Sequence, residues 1–348
     1  MNNTFNTEYK DYKDHVCIMI STDNMIFNER SAVRARMIEY AKSYKEMHII
    51  VFSKIKFISE NCTIYSTNSF SKFNYIKNAY KIGKKILKNV DKSEKLLISC
   101  QDPFETGLAG KKIASLRNNS ELLLQIHTDL FSPYFTSNKI GFKNAVLNRI
   151  RLFISKFTLS HAQVIRVVSI KIAESLVLQG IAKDKIIVKP IRVDENTIKN
   201  SLPSFNLHEK FPQFKKIILM VSRLESEKNI EMAIEAMKIV NSKINDAGLI
   251  IVGSGRSINK LKKITNKLDL NQKVIFEGWQ TDTISYYRGC DIVLVTSWYE
   301  GYGMVIKEAQ IVGKKIVSTD VGIAREVGAL IAEYTPDSIA QKILEVLV

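Results

Sequence analysis

Short apolar runs with no polar alternation recur along almost the whole of this chain, and most are followed by a stretch with helical spacing. Such a run suits a strand covered on both faces, as in a parallel sheet flanked by helices. His15 to Ser21, Met47 to Phe52, Leu96 to Ser99, Glu121 to Ile126, Gln163 to Val168 and Lys185 to Val188 form a first series. Helices are expected between some of them: Ser31 to Tyr44, Phe73 to Val90 and Lys171 to Gln179. A second series follows, with strands at 217–221, 249–252, 274–277, 291–295 and 315–318. Its helices are expected at 230–240 (with Asn229 as the cap), 258–268, 283–288 and 304–312, and a closing helix at 338–347. The chain has 348 residues, too many for one core. The expectation is an α/β protein of two doubly wound Rossmann-like domains. Pro203 and Phe211-Pro212 punctuate the stretch between the two series. The boundaries read as 1–195 for the first domain, 196–214 for a linker and 215–348 for the second.

Charge is unevenly spread. Residues 1–200 hold 32 basic and 18 acidic residues, a surplus of +14; residues 201–348 hold 19 and 17, a surplus of +2. A basic half points to an anionic partner: a membrane surface, an acidic glycan or a nucleic acid. No aromatic-and-basic recognition motif supports nucleic acid. Cys17, Cys62, Cys100 and Cys290 are far apart, which fits free thiols in a reducing cytosol. The polar N-terminus reads as no signal peptide, and no apolar run is long enough to span a bilayer. Together these suggest a cytoplasmic protein, peripheral on the inner face of the cell membrane if the basic half docks there.

Chemistry concentrates at Asp291 to Thr319. After the apolar run comes Ser297-Trp298-Tyr299-Glu300-Gly301-Tyr302-Gly303, whose two glycines let backbone come close to a ligand. On the helix that starts at Met304, Lys307, Gln310 and Lys314 form a polar face. Glu308, four after Met304 and four before Val312, falls on the inward stripe. A carboxylate there must find a partner.

Glu300 and Glu308, with seven residues between them, resemble the Glu-x7-Glu signature of retaining glycosyltransferases with the GT-B fold, family 4 in particular. Val221-Ser222-Arg223-Leu224 with Lys228, Gly253-Ser254-Gly255 and Phe276-Glu277-Gly278-Trp279 occur in that family's order. The resemblance covers most of residues 90–340. It implies two domains facing a central cleft, with acceptor bound by the first and nucleotide sugar by the second. It further implies that Arg223 and Lys228 hold the diphosphate and that Gly301, Gly303 and Met304 bring helix N–H groups to it. Glu308 would bind the ribose hydroxyls, and Glu300 would stand near the donor sugar as a catalytic group. Gly253 would line the nucleotide pocket, and the strand carrying Phe276 would border the base, with Trp279 either at the base or a buried structural residue. His127, at the end of the strand Glu121 to Ile126, matches the family's cleft histidine; a structural histidine is the other reading. No cofactor is implied beyond the nucleotide diphosphate sugar as co-substrate. No Asp-x-Asp motif for a metal is present, and the family implies metal independence.

Two departures stand out. The loop Thr22 to Arg30 has none of the glycines the family often carries there, and the tail that usually crosses back onto the first domain is missing. They leave a second reading: a catalytically inactive GT-B binding or scaffold protein. The first reading is sugar transfer to a glycan or lipid-linked acceptor in surface polysaccharide synthesis. The lysine-rich segment 73–90 and the basic apolar segment 142–157 read either as ordinary packed helices or as a surface for anionic lipid.

Overall fold

Six strands are expected in the first series; the computed structural model, which describes residues 5–8, 10–55 and 63–348, has seven. Cys62 lies outside the described residues. The strands are β1 (His15–Ser21), β2 (Glu46–Val51), β3 (Ile64–Ser66), β4 (Lys95–Cys100), β5 (Ser120–Ile126), β6 (Val164–Val167) and β7 (Ile186–Val188). They form one parallel sheet in the order β3-β2-β1-β4-β5-β6-β7. Every residue of β1 is buried, because helices cover both faces of it. The helices are α1 (Ala32–Ala41), α2 (Tyr75–Asn89), α3 (Glu105–Ala114), α4 (Phe142–His161) and α5 (Ile170–Leu178). The chain steps the same way along the sheet from β3 to β4, β4 to β5 and β5 to β6. Right-handed crossovers therefore place α2, α3 and α4 on one face, and α1, which steps the other way, on the opposite face.

A second sheet is built from β8 (Lys216–Val221), β9 (Ala247–Val252), β10 (Val274–Gly278), β11 (Ile292–Val295), β12 (Lys315–Thr319) and β13 (Leu330–Ala332). Its order is β10-β9-β8-β11-β12-β13, again all parallel. The helices are α6 (Glu195–Asn200), α7 (Leu207–Lys210), α8 (Ile230–Asn241), α9 (Ile258–Lys267), α10 (Thr283–Gly289), α11 (Met304–Ile311) and α12 (Pro336–Leu347). Ile234, Met237 and Val240 of α8 meet Ile339 and Ile343 of α12 in a core closed to solvent. Strand order reverses at β8, so β8 and β11 open a crevice at their carboxyl ends.

By its contacts the chain divides into two units. The first is 1–127, 147–168 and 172–189; the second is 128–146, 169–171 and 190–348. The segment 196–214 is not the plain linker expected. Asp194 and Asn206 cap α6 and α7, and Leu207 is wholly buried. Ser204 N–H donates to Ser285 Oγ at 2.7 Å, and Arg288 donates to the Lys199 carbonyl at 2.7 Å. Besides α6 and α7, three elements were not foreseen: the short edge strands β3 and β13, and α3. Asp102 accepts from the N–H groups of Phe104 and Thr106 to start α3. Among the described residues, no helix is long and apolar enough to cross a membrane.

Candidate functional site

The second unit gathers its chemistry at the carboxyl ends of β8, β9, β10 and β11. A cavity of about 330 Å³ lies there. Arg223 lines it from beyond β8, Gly253 from the end of β9, Trp279 from beyond β10, and Met304 and Glu308 from α11. Four positions nominated from sequence therefore share one crevice.

Two backbone features shape it. Gly253 has φ of 137°, and a Cβ there would stand 1.9 Å from the Ser222 carbonyl oxygen. Only glycine lets these two strand ends approach so closely. Gly303, with φ of 85°, caps α11 from the left-handed region and turns the chain into the helix. The Gly303 carbonyl then accepts from Ile306 and Lys307. The first N–H groups of α11 have no acceptor within the helix.

Lys228 and Glu300 meet directly: Nζ lies 2.5 Å from Oε1, and the side chains are only 14% and 17% exposed. Ser297 Oγ also donates to Glu300 Oε1, at 2.8 Å. The Thr296 hydroxyl lies 3.1 and 3.0 Å from the carbonyls of Lys228 and Asn229, binding the end of β11 to the Lys228 loop. Gly301 O accepts from the buried Ser169 hydroxyl. Neither Lys228 nor Glu300 is among the residues lining the cavity; both stand on the loops that lead to its lining residues. Arg223 is mostly exposed, with Nη2 3.0 Å from Glu227 Oε1.

Glu308 has the partner that its inward position demanded. Tyr287 of α10, wholly buried, donates its hydroxyl to Oε2 at 2.7 Å. Burial raises the Glu308 pKa above the usual carboxylate value, and the Tyr287 bond opposes that rise. Burial, with Glu308 beside it, pushes the Tyr287 hydroxyl well up. Tyr287 was not nominated from sequence. The signal was available: an inward-facing tyrosine carries a hydroxyl that needs a partner.

Phe276 does not line the cavity. In β10 it points to the same face as Val274, and both pack on the core under α8 and α9. The ladder is irregular between Phe276 and Gly278, and Gly278 has φ of 71°. Trp279 is then turned outward, 70% exposed, against the cavity. The reading of Trp279 as a buried structural residue is thereby excluded. Asn229 does not cap α8 through its side chain either. It sits in the left-handed region with φ of 49°, and its amide approaches Met232 Sδ instead. Ser222 lines the cavity with a buried hydroxyl oxygen that has no partner, and was missed as a lining residue.

His127 belongs to the first unit, just past the end of β5. Its ring keeps open surface, but surrounding protein mass, helped by the Arg166 charge, pushes its pKa down to about 4. It is neutral at pH 7. Its Nε2 lies 3.4 Å from Gln125 Oε1. Among the described residues no cluster of three or more His, Cys, Asp or Glu could hold a metal ion. Arg325 pairs with Asp320, and Glu326 accepts from the Ile170 N–H, so these act as ties within the second unit.

With that geometry in place, the comparisons with known proteins are informative. Residues 206–348 match the family model described as glycosyl transferases group 1. An uncharacterized glycosyltransferase of Methanocaldococcus jannaschii is 36% identical over 140 residues, covering 38% of this chain and 36% of the relative. The UDP-Gal:alpha-D-GlcNAc-diphosphoundecaprenol alpha-1,3-galactosyltransferase of Escherichia coli is 29% identical over 143 residues, covering 39% and 37%. The chain spans about a third to a half of the length of the first curated relatives it matches. Anabaena HepE, solved in complex with UDP and glucose, matches over 94% of this chain and 89% of its own, with a TM-score of 0.67 at 18% identity. The fold is that of the GT-B glycosyltransferases.

Proposed function

We propose that the chain, whose residues 206–348 match glycosyl transferases group 1, belongs to that family and moves a sugar from a nucleotide diphosphate sugar to a glycan or lipid-linked acceptor. The observation that carries this is the convergence of Arg223, Gly253, Met304 and Glu308 on one cavity. Glu308 receives the ribose: a carboxylate accepts from two hydroxyls, and Tyr287 holds its other side. The diphosphate lies between the start of α11, Arg223 and Lys228. Arg223 offers a planar fork and Lys228 a point charge, and both oppose the charge that grows on the leaving group. Trp279 provides an open aromatic surface for the base.

Glu300, fixed by Lys228 and Ser297, accepts from donor-sugar hydroxyls. Transfer is metal-independent and retains the anomeric configuration. The acceptor hydroxyl attacks from the face that the diphosphate leaves, and a diphosphate oxygen takes its proton. The family resemblance assigns His127 to the donor sugar; being neutral at pH 7, it would serve there as a hydrogen-bond partner rather than a cation. The setting is surface polysaccharide synthesis, and the protein works as a peripheral protein on the inner face of the cell membrane.

Calorimetry with UDP, GDP and ADP, then hydrolysis and transfer with the matching nucleotide sugars, tests the proposal. One nucleoside diphosphate binds, and turnover falls by at least about a hundredfold in Glu300→Ala and Arg223→Ala. No binding of any of the three, or turnover unchanged in both variants, overturns it. A product of opposite anomeric configuration by NMR overturns retention alone.

A further inference from the structure

The helical layer on one face of the first sheet carries an apolar stripe that nothing among the described residues covers. On α4 the outward residues Leu147, Ile150, Phe153 and Phe157 recur at three- and four-residue steps, and Phe153 is 77% exposed. A surface helix normally turns such a stripe into its core. Here α4 holds to the sheet by its other side: Ser155, Thr158 and Leu159 are buried, and the Thr158 hydroxyl donates to the Pro103 carbonyl at 2.5 Å. Phe70 and Phe73 stand almost wholly in solvent just before α2.

Cations frame these side chains. Lys77, Lys81, Lys84, Lys85 and Lys88 are exposed along α2, whose buried side holds Ala79, Gly83, Ile86 and Leu87. From α3, between the two, Lys111 Nζ reaches over the Phe157 ring at 5.1 Å. Arg149 and Lys156 flank the stripe on α4. Acid is almost absent: residues 61–90 contain no Asp or Glu, nor do residues 130–173. Glu105 is the exception within these helices, and it is paired with Arg151.

We propose that this α2–α3–α4 face docks on an anionic phospholipid bilayer. Aromatic and aliphatic side chains enter the boundary between headgroups and acyl chains, while the lysines lie over the headgroup phosphates. Charge argues against a second copy, and the apolar stripe argues against a nucleic acid. A second copy would bring two single-signed basic faces together. A nucleic acid would satisfy the lysines but leave Leu147 and Ile150 with nothing to contact. The inference names the surface by which the transferase proposed above reaches a membrane-bound acceptor. It draws its purpose from that reading, but lipid binding is measured without any sugar transfer.

The test is flotation of the full chain with vesicles of phosphatidylcholine alone and with added phosphatidylglycerol, at low and high salt. Each cation near an anionic surface contributes about fivefold to binding. The triple variant Lys81→Glu, Lys84→Glu, Lys88→Glu is expected to lose at least about a hundredfold. The double variant Ile150→Ser, Phe153→Ser is expected to lose about tenfold or more. These side chains are exposed, so both variants should melt as the wild type does and bind nucleoside diphosphate unchanged. The proposal is overturned by equal binding to neutral and anionic vesicles, by no vesicle binding, or by variants that bind as the wild type does. It is equally overturned if the serine variant turns a dimer into a monomer, which identifies a second copy as the occupant. RNA binding lost in the lysine variant, with vesicle binding untouched, also overturns it. Nucleotide binding without vesicle binding removes the docking face and leaves the transferase; the reverse result removes the transferase and leaves the face.

Discussion

Replacing Tyr287 by Phe isolates the contact that holds Glu308. The ring is wholly buried and stays so; only the hydroxyl that donates to Oε2 at 2.7 Å is removed. A hydrogen bond to an ionised group contributes about 1.5–3 kcal/mol, against about 0.5–1.5 kcal/mol between neutral groups. The Glu308 pKa stands above its unfolded value because burial disfavours the anion. The folded state therefore prefers the protonated form. The cost of burying the anion is absent well below the unfolded value and grows as pH rises through the folded one. Tyr287 reduces that cost, so its removal destabilises most at pH 8 and least in acid. At pH 8 the loss of about 1.5–3 kcal/mol corresponds to a fall in Tm of roughly 3–12 °C for a unit of this size. Urea unfolding of the wild type, Tyr287→Phe, Glu308→Gln and the double variant, at pH 8 and at pH 4.5, measures the coupling directly. In Glu308→Gln the amide oxygen still accepts from Tyr287, so the coupling should shrink to the neutral range at both pH values. A Tyr287→Phe cost below about 0.5 kcal/mol at pH 8, or the same cost at both pH values, refutes the reasoning.

Gly253→Ala should cost more than about 3 kcal/mol and abolish nucleoside diphosphate binding, since its Cβ meets the Ser222 carbonyl. Gly278→Ala, at φ of 71° with nothing within 4 Å, should cost about 1–2 kcal/mol in the same melts. Lys228→Met should destabilise by about 1–3 kcal/mol in urea, because partly buried Glu300 is left with only Ser297. Adding Glu300→Gln should recover part of that loss. The Cys17 and Cys290 thiols, buried and pushed up to about 12, should react with Ellman's reagent at pH 8 only after denaturant is added, as should buried Cys100.

What spacing reveals and what it hides can be read at these same positions. The inner strands were legible because a strand covered on both faces must be apolar throughout, as β1 and β9 are. The edge strands β3 and β13 pair on one side only and are three residues long, too short to stand out from a loop. The helix α3 was hidden by Gly107 and Gly110, which lower helix propensity. In 196–214 the prolines masked the buried anchors Leu207, Phe211 and Phe214. At the site, Glu308 was legible as an inward acid from helical spacing alone. Its partner Tyr287 was not, since that contact joins two separate helices across 21 positions. Phe276 and Trp279 make the same point in reverse. A motif marks where β10 ends, but strict alternation would put residues 276 and 278 on one face and 277 and 279 on the other. Phe276 keeps that alternation and follows Val274 into the core; the irregular ladder and left-handed Gly278 come after it and turn the chain so that Trp279 stands exposed against the cavity. Asn229 is a third case: a residue type favoured as a cap is used instead for a left-handed turn that carries Lys228 to Glu300. The period of a pattern therefore fixes which element bears a functional group. Which side chain at the end of that element meets the ligand depends on one or two backbone angles that no period records.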